Sequence, residues 1–251
     1  MLAFARRLLR PVRSLDQVSE QCDDLTALAN RYGSDKGNQH FDQHCYTRIY
    51  SELFRELRTR PIRLLEIGLL HPCDSAWRAG NVHTAPSLMM WSHYFPYGRI
   101  FGFDIADFSV VSIPRVSIYR GDASSRQDLG LMISSSGGRF DIIIDDASHA
   151  SRDQQIALGT LFEHVSPGGL YIIEDLQVSD KEVEAPKTRE FLRKLGLERT
   201  ARSPYLTDSE ARYLEINVER IAFYDSLSPG GEQHKYPEAL AVVIKKSLAA
   251  S

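Results

Sequence analysis

The sequence predicts an α/β protein built on an open, mainly parallel sheet covered by helices on both faces. Two observations carry this. From residue 62 onward, short apolar runs alternate with longer amphipathic stretches, the pattern of βαβ units. Several runs are continuously apolar, as in Ile142-Ile143-Ile144, which suits strands buried on both faces. Acidic residues recur where the runs stop, at Asp104, Asp145-Asp146 and Glu174-Asp175.

In chain order, residues 1–60 read as a helical N-terminal cap or lid and residues 61–251 as the sheet-bearing domain. Residues 1–13 are basic and amphipathic, and arginines interrupt their apolar stretch. That pattern suits a surface helix better than a signal peptide. A helix that docks on a membrane surface, or on a neighbouring subunit of a homo-oligomer, is the other reading. The run from Ile62 to Ile67 is the first strand, ending at Gly68. A long loop, 69–86, follows. Ser87 to Phe95 is helical and Pro96 closes it. Ile100 to Asp104 and Val116 to Tyr119 are the next strands. Ser125 to Ser134 is a helix stopped by Gly137-Gly138. Phe140 to Asp145 is the fourth strand. Ser151 to Val165 is a helix with Ser151 as N-cap, ended by Ser166-Pro167-Gly168-Gly169. Leu170 to Glu174 is the fifth strand. The polar stretch 176–217 reads as a lid. Arg220 to Tyr224 and Ala239 to Lys245 complete the strands.

Composition narrows the function. The chain of 251 residues has room for one well-buried core. Its 30 basic and 33 acidic residues leave a net charge of −3, which argues against a general nucleic-acid binder. Cys22, Cys45 and Cys73 form neither a disulfide framework nor a zinc pattern, which fits a reducing, cytoplasmic setting. No apolar run approaches the roughly 20 residues of a membrane span, so no stable membrane insertion is expected.

In an open α/β sheet, ligands bind outside the carboxyl ends of the strands. A carboxylate ending the second strand, Asp104, is placed to accept hydrogen bonds from a ribose diol, which points to a nucleoside cofactor; a turn or cap residue is the plainer alternative. No G-x-G-x-x-G follows the first strand and no P-loop occurs, so neither NAD nor ATP is indicated. The fourth and fifth strands bring Asp145-Asp146 and Glu174-Asp175 to one edge, with His149 beside them. So many like charges repel each other unless protons or a cation neutralise them, and a hard divalent ion such as Mg²⁺ suits oxygen ligands. The expected metal set is Asp146, Glu174 and Asp175. Neighbours along a strand point to opposite faces, so Asp145 and Asp146 reach one ion together only if the strand has ended. His149, three residues past Asp146, is placed as general base. The turn Tyr32-Gly33-Ser34-Asp35-Lys36-Gly37, followed by His40, His44, Tyr46 and Tyr50, reads as a lid segment or as a plain helix-ending loop.

These residues, in this order, resemble class I S-adenosylmethionine-dependent methyltransferases. The similarity rests on Tyr32-Gly33-Ser34-Asp35-Lys36-Gly37, Tyr46-x-x-Ile49-Tyr50, Leu65-Glu66-Ile67-Gly68, Ser87-Leu88-x-Met90-Trp91, Gly102-Phe103-Asp104, Gly121-Asp122, Asp145-Asp146-Ala147-Ser148-His149 and Ile173-Glu174-Asp175. The group they resemble best is the metal-dependent sugar O-methyltransferases of macrolide biosynthesis, the mycinamicin and tylosin type. The resemblance implies a Rossmann-like fold of seven strands, the last antiparallel, that binds S-adenosyl-L-methionine and Mg²⁺. It implies methyl transfer to a hydroxyl of a sugar or polyhydroxylated small molecule of secondary metabolism, as in antibiotic biosynthesis. By position, Glu66 and Gly68 line the methionine end and Asp104 holds the ribose. Asp122, Ala123 and Ser124 lie near the adenine, Tyr32 and Ser34 close over the cofactor, and Asp145 joins these contacts. Asp146, Glu174 and Asp175 surround the metal, and His149, with Asp146, carries the chemistry.

The chain departs from the group in two places. Leu69-Leu70-His71-Pro72 stands where glycines are usual, and Ala147 stands in place of the glycine of D-D-G-S-H. Two other functions fit a chain with such departures. One is a methyltransferase fold with a non-methylating activity, and the other is a catalytically silent subunit that supports a partner enzyme.

Overall fold

The computed structural model describes residues 24–40, 44–69, 84–178, 183, 185–226 and 236–248. Residues 1–23 and most of the loop 69–86, including Leu70-His71-Pro72, lie outside this set, as do Cys22 and Cys73.

Strands β1 (Arg63–Ile67), β2 (Arg99–Asp104), β3 (Val116–Arg120), β4 (Phe140–Asp145), β5 (Val165–Ile173), β6 (Val218–Tyr224) and β7 (Leu240–Lys245) form one sheet. Its order is β3-β2-β1-β4-β5-β7-β6. The strands β1 to β5 pair in parallel, and β7 runs antiparallel to both β5 and β6. The strand order reverses between β1 and β4, which places the binding crevice at their carboxyl ends.

Both faces of the sheet are apolar, as the continuous runs predict. Leu64, Ile142, Ile144, Leu170, Ile172 and Val242 point to one side, where α1 (Asp24–Tyr32), α2 (Tyr46–Phe54) and α3 (Pro86–Tyr94) pack. Leu65, Ile67, Phe103, Ile143, Tyr171, Ile173 and Val243 point to the other. That side is covered by α4 (Arg126–Ser136), α5 (Ser151–Leu161), α6 (Thr188–Glu198) and α7 (Asp208–Asn217). The alternation follows from the two-residue period of a strand. The described part of the N-terminal segment therefore shares one core with the sheet. Its aromatic face stacks Tyr50 on Phe54 at 5.2 Å and sets both edge-on to Trp91 of α3.

Three local expectations change. Ala150, not Ser151, is the N-cap of α5. The Ser151 hydroxyl is fully buried and accepts the Thr188 N–H at 3.2 Å, tying α5 to α6. The helix also stops early, at Leu161, and passes through a 3₁₀ turn, Phe162–His164, into β5. Ser166 to Gly169 then lie within β5 as a bulge, because the register jumps from Phe140↔Val165 to Ile142↔Leu170. Gly168 takes φ +75°, and a Cβ on Gly169 would meet the Asp141 carbonyl at 2.8 Å. Thus the glycines make a kink inside a strand rather than a helix stop. Finally, 176–217 contains two packed helices, α6 and α7, rather than a lid alone. Thr207 and Glu210 close a reciprocal capping box on α7, and Arg126 of α4 holds Glu210 at 2.7 Å.

Candidate active site

The carboxyl ends of β1, β4 and β5 are laced together past the last ladder pairs. Asp146 N donates to Ile67 O at 2.8 Å, and Glu174 N to Asp145 O at 2.9 Å. Gly68 N donates to Phe103 O at 2.9 Å. Gly68 has φ +85°, and a Cβ there would lie 2.0 Å from the Asp146 carbonyl oxygen. Only glycine fits this crossing. The first strand therefore turns away directly against the Asp146 backbone, which joins the two halves of the site.

Asp104 stands at the end of β2 as expected. Its Oδ2 accepts the Leu69 N–H at 2.7 Å and its Oδ1 the Ala106 N–H at 2.8 Å. It thus fixes the start of the loop after β1. Burial raises its carboxyl above the ordinary value, and these backbone donors oppose the rise. Past β3, Asp122 accepts from the Ser124 N–H and hydroxyl, both at 2.8 Å, in a closed turn that carries Ala123. Tyr32 is half-buried with its hydroxyl 3.0 Å from His93 Nδ1. Ser34 is buried and turned toward Lys36 N.

The acids form the centre. Glu66 is fully buried; its Oε2 accepts the Trp91 indole N–H at 3.2 Å. Burial pushes its carboxyl up to about 7, against the pull of Lys36 and Ser87. Glu174 is buried, held by the Tyr50 hydroxyl on one oxygen and by Lys36 at 3.1 Å on the other. Asp175 Oδ1 accepts the Tyr46 hydroxyl at 2.7 Å and Gln177 at 3.0 Å. Its Oδ2 faces His44 at 3.6 Å and His149 at 3.9 Å. Burial would raise Asp175, but the two imidazoles and these donors outweigh it and lower its pKa. Asp145 ends β4 on the opposite face, where its Oδ2 accepts the Tyr171 hydroxyl at 3.2 Å. Burial raises it to about 7. Asp145 and Asp146 therefore serve different faces, as the strand period requires.

Ligand atoms of Asp146, His149 and Asp175 lie within 4.8 Å of one another. Both His149 and Asp175 have positive φ, 59° and 55°. These backbones are turned sharply to aim their side chains inward. Ala147 is not among the positive-φ residues, so its methyl group causes no strain.

The residue that the sequence reading left out of the site is Lys36. It is 1% exposed, and its ammonium contacts Asp146, Glu174 at 3.1 Å and Glu66 at 3.3 Å. Burial would lower its pKa, but Asp146, Glu174 and Glu66 together hold it well above the ordinary value. In turn, burial raises Asp146 and Glu174, and neighbouring acids add to the rise against the pull of Lys36. His44, beside Asp175, is another unassigned member, and so are Tyr46 and Tyr50. Their spacing of four on α2 put both on one helical face, a signal present in the sequence.

No family model matches the chain. Curated relatives match it over part of its length. Mycinamicin VI 2''-O-methyltransferase of Micromonospora griseorubida is 39% identical over 153 residues, 61% of this chain and 36% of that one. A rhamnosyl tetracenomycin-C 2'-O-methyltransferase of Streptomyces olivaceus is 41% identical over 158 residues, 62% and 38% of the two chains. Demethylmacrocin O-methyltransferase of Streptomyces fradiae is 39% identical over 155 residues, 61% and 36%. The chain thus spans less than two fifths of the length of these relatives. Among solved structures, the MycE methyltransferase of the mycinamycin pathway, in complex with Mg and SAH, is similar with TM-score 0.68 and 30% identity. That match covers 89% of this chain and 55% of the other. The O-methyltransferase TomG of Streptomyces achromogenes, at 14% identity and TM-score 0.51, shares the fold. The sheet is that of the class I methyltransferases, Rossmann-like with its last strand antiparallel.

Proposed function

We propose that this chain is an S-adenosylmethionine- and Mg²⁺-dependent O-methyltransferase acting on a hydroxyl of a sugar or polyhydroxylated small molecule. The observation that carries the reading is the cluster of Asp146, His149 and Asp175 at the carboxyl edge, set against the Gly68 turn. The relatives support it, since their names specify O-methyl transfer to glycosylated or macrolide acceptors.

The residues fit a divalent cation. Four acids meet there against one ammonium, and the ligand atoms are oxygen-rich. Asp146 and Asp175 of that cluster would hold the ion, with Glu174, which lies outside the close group, as the expected third ligand. Glu174 already binds Lys36 and Tyr50, but a carboxylate has about four lone-pair sites and can accept a further partner. A bound Mg²⁺ would lower the pKa of an acceptor hydroxyl. His149 would take the proton. Its Nδ1 is buried without a hydrogen-bond partner among the described residues, and its Nε2 faces the Asp175 carboxylate, which would steady the imidazolium. The cofactor's methionine end would lie by Glu66 and Gly68, its ribose by Asp104 and its adenine by Asp122, Ala123 and Ser124. Asp145 supports that edge through Tyr171, and Tyr32 and Ser34 close it from the N-terminal segment, which we read as cap and lid to the catalytic domain.

The test is calorimetric titration with S-adenosylmethionine, in Mg²⁺ and then in EDTA, followed by a methyl-transfer assay on rhamnosylated and other glycosylated acceptors. Micromolar binding in both conditions, with transfer only in Mg²⁺, is expected. Absence of binding in both would overturn the reading in favour of a non-methylating activity or a silent subunit.

A further inference from the structure

Lys36 has no part in the proton or methyl transfer just described, yet it is buried at the centre of the site. Lysine is almost never fully buried unless paired, because its ammonium loses hydration. Here Lys36 comes from the turn between α1 and α2 and contacts acids at the ends of three different strands: Glu66 of β1, Asp146 after β4 and Glu174 after β5. Two of these, Asp146 and Glu174, belong to the proposed metal set. We propose that Lys36 is a positioning residue acting as the fixed counter-cation of this cluster. It shares Asp146 and Glu174 with the divalent ion, holds both carboxylates in place and weakens the ion's affinity. The inference rests on the metal reading above.

Two mechanisms separate by sign. If Lys36 only tied the segment down, its loss would loosen the acids and weaken metal binding. If it is a competing positive charge, its loss leaves the acids more negative and tightens metal binding. A unit charge near a divalent ion is worth about tenfold even under strong solvent screening.

The experiment measures Mn²⁺ binding by electron paramagnetic resonance on the full chain without acceptor. It compares wild type with Lys36→Met, Lys36→Gln and Lys36→Arg, and folding is checked by circular dichroism. Lys36→Gln keeps polarity and much of the length, and it reads the charge if Lys36→Met opens the core. Lys36→Met and Lys36→Gln should bind Mn²⁺ about tenfold tighter, Lys36→Arg should stay near wild type, and kcat should fall in the neutral variants with KM for the cofactor little changed. Equal or weaker Mn²⁺ binding in the folded neutral variants would overturn the counter-cation role while leaving the metal site standing. Failure of the wild type itself to bind Mn²⁺ would overturn the metal reading, and this one with it.

Discussion

Replacing Gly68 with alanine adds one methyl group at the point where β1 crosses the backbone after β4. The new Cβ would lie 2.0 Å from the Asp146 carbonyl oxygen, 2.4 Å from its carbon and 2.5 Å from Ala147 Cα. Ordinary contact begins near 3.4 Å, so one backbone must retreat by more than about 1 Å. No side chain can rotate away to relieve it. The φ of +85° adds a conformational cost of about 1 kcal/mol for a residue with a Cβ. With overpacking at about 1–3 kcal/mol, the total is about 2–4 kcal/mol, a large share of the stability of a typical domain. The retreat would also stretch the 2.8 Å bond from Asp146 N to Ile67 O and displace Asp146 from His149 and Asp175. Urea unfolding followed by tyrosine and tryptophan fluorescence should show the lower midpoint. Titration with S-adenosylmethionine should show at least a tenfold loss of affinity. An unchanged midpoint together with unchanged affinity would refute the close approach on which the site's geometry depends.

Three further outcomes follow from the same geometry. Glu66→Gln tests burial of charge: the folded carboxyl titrates at about 7 against an ordinary 4.5, so wild-type stability is full below 4.5 and falls as pH rises to about 7. In EDTA, the variant should match wild type near pH 4.5 and exceed it at pH 8 by up to about 3 kcal/mol in thermal unfolding; equal stability at pH 8 would contradict the shift. His149→Ala should lower kcat with little loss of cofactor affinity, and Asp104→Ala should weaken cofactor affinity with kcat at saturating cofactor little changed, as read by paired turnover and calorimetry; full activity of His149→Ala on its acceptor would remove the base assignment. Thr207→Ala breaks the capping box of α7 and should cost about 1 kcal/mol in urea unfolding with kinetics untouched.

What was legible in the sequence was whatever is local. The span Phe140–Asp145 reads as a strand because three consecutive isoleucines can satisfy both faces only inside a covered sheet. The acids Asp146, Glu174 and Asp175 stand out because strands stop there. The stretch 166–169 misled because two glycines after a helix resemble a stop, while their actual use is a bulge set by the neighbouring Asp141 backbone. Residues 208–217 looked like lid because α7 buries only Leu214, so its apolar periodicity is faint, although Thr207-x-x-Glu210 was a readable start signal. Lys36 was legible as part of a lid turn but not as a partner of these acids, for a different reason. Its partners Asp146 and Glu174 are 110 and 138 positions away, and no spacing rule links them until the sheet has brought their strands together.

The place of β7 has a consequence for how the chain reaches its native state. β7 lies between β5 and β6, although it follows both in sequence. Until Leu240–Lys245 has been synthesised and docked, the outer edge of Leu170–Ile173, a wholly apolar segment, has no ladder partner. An open edge of that kind pairs readily with the same edge of another chain. Refolding yield should therefore decline with protein concentration before β7 inserts and become independent of concentration afterwards. A holdase that shields β5 during synthesis would raise yield most in variants that weaken the Ile172↔Val242 and Ile173↔Ala241 pairs.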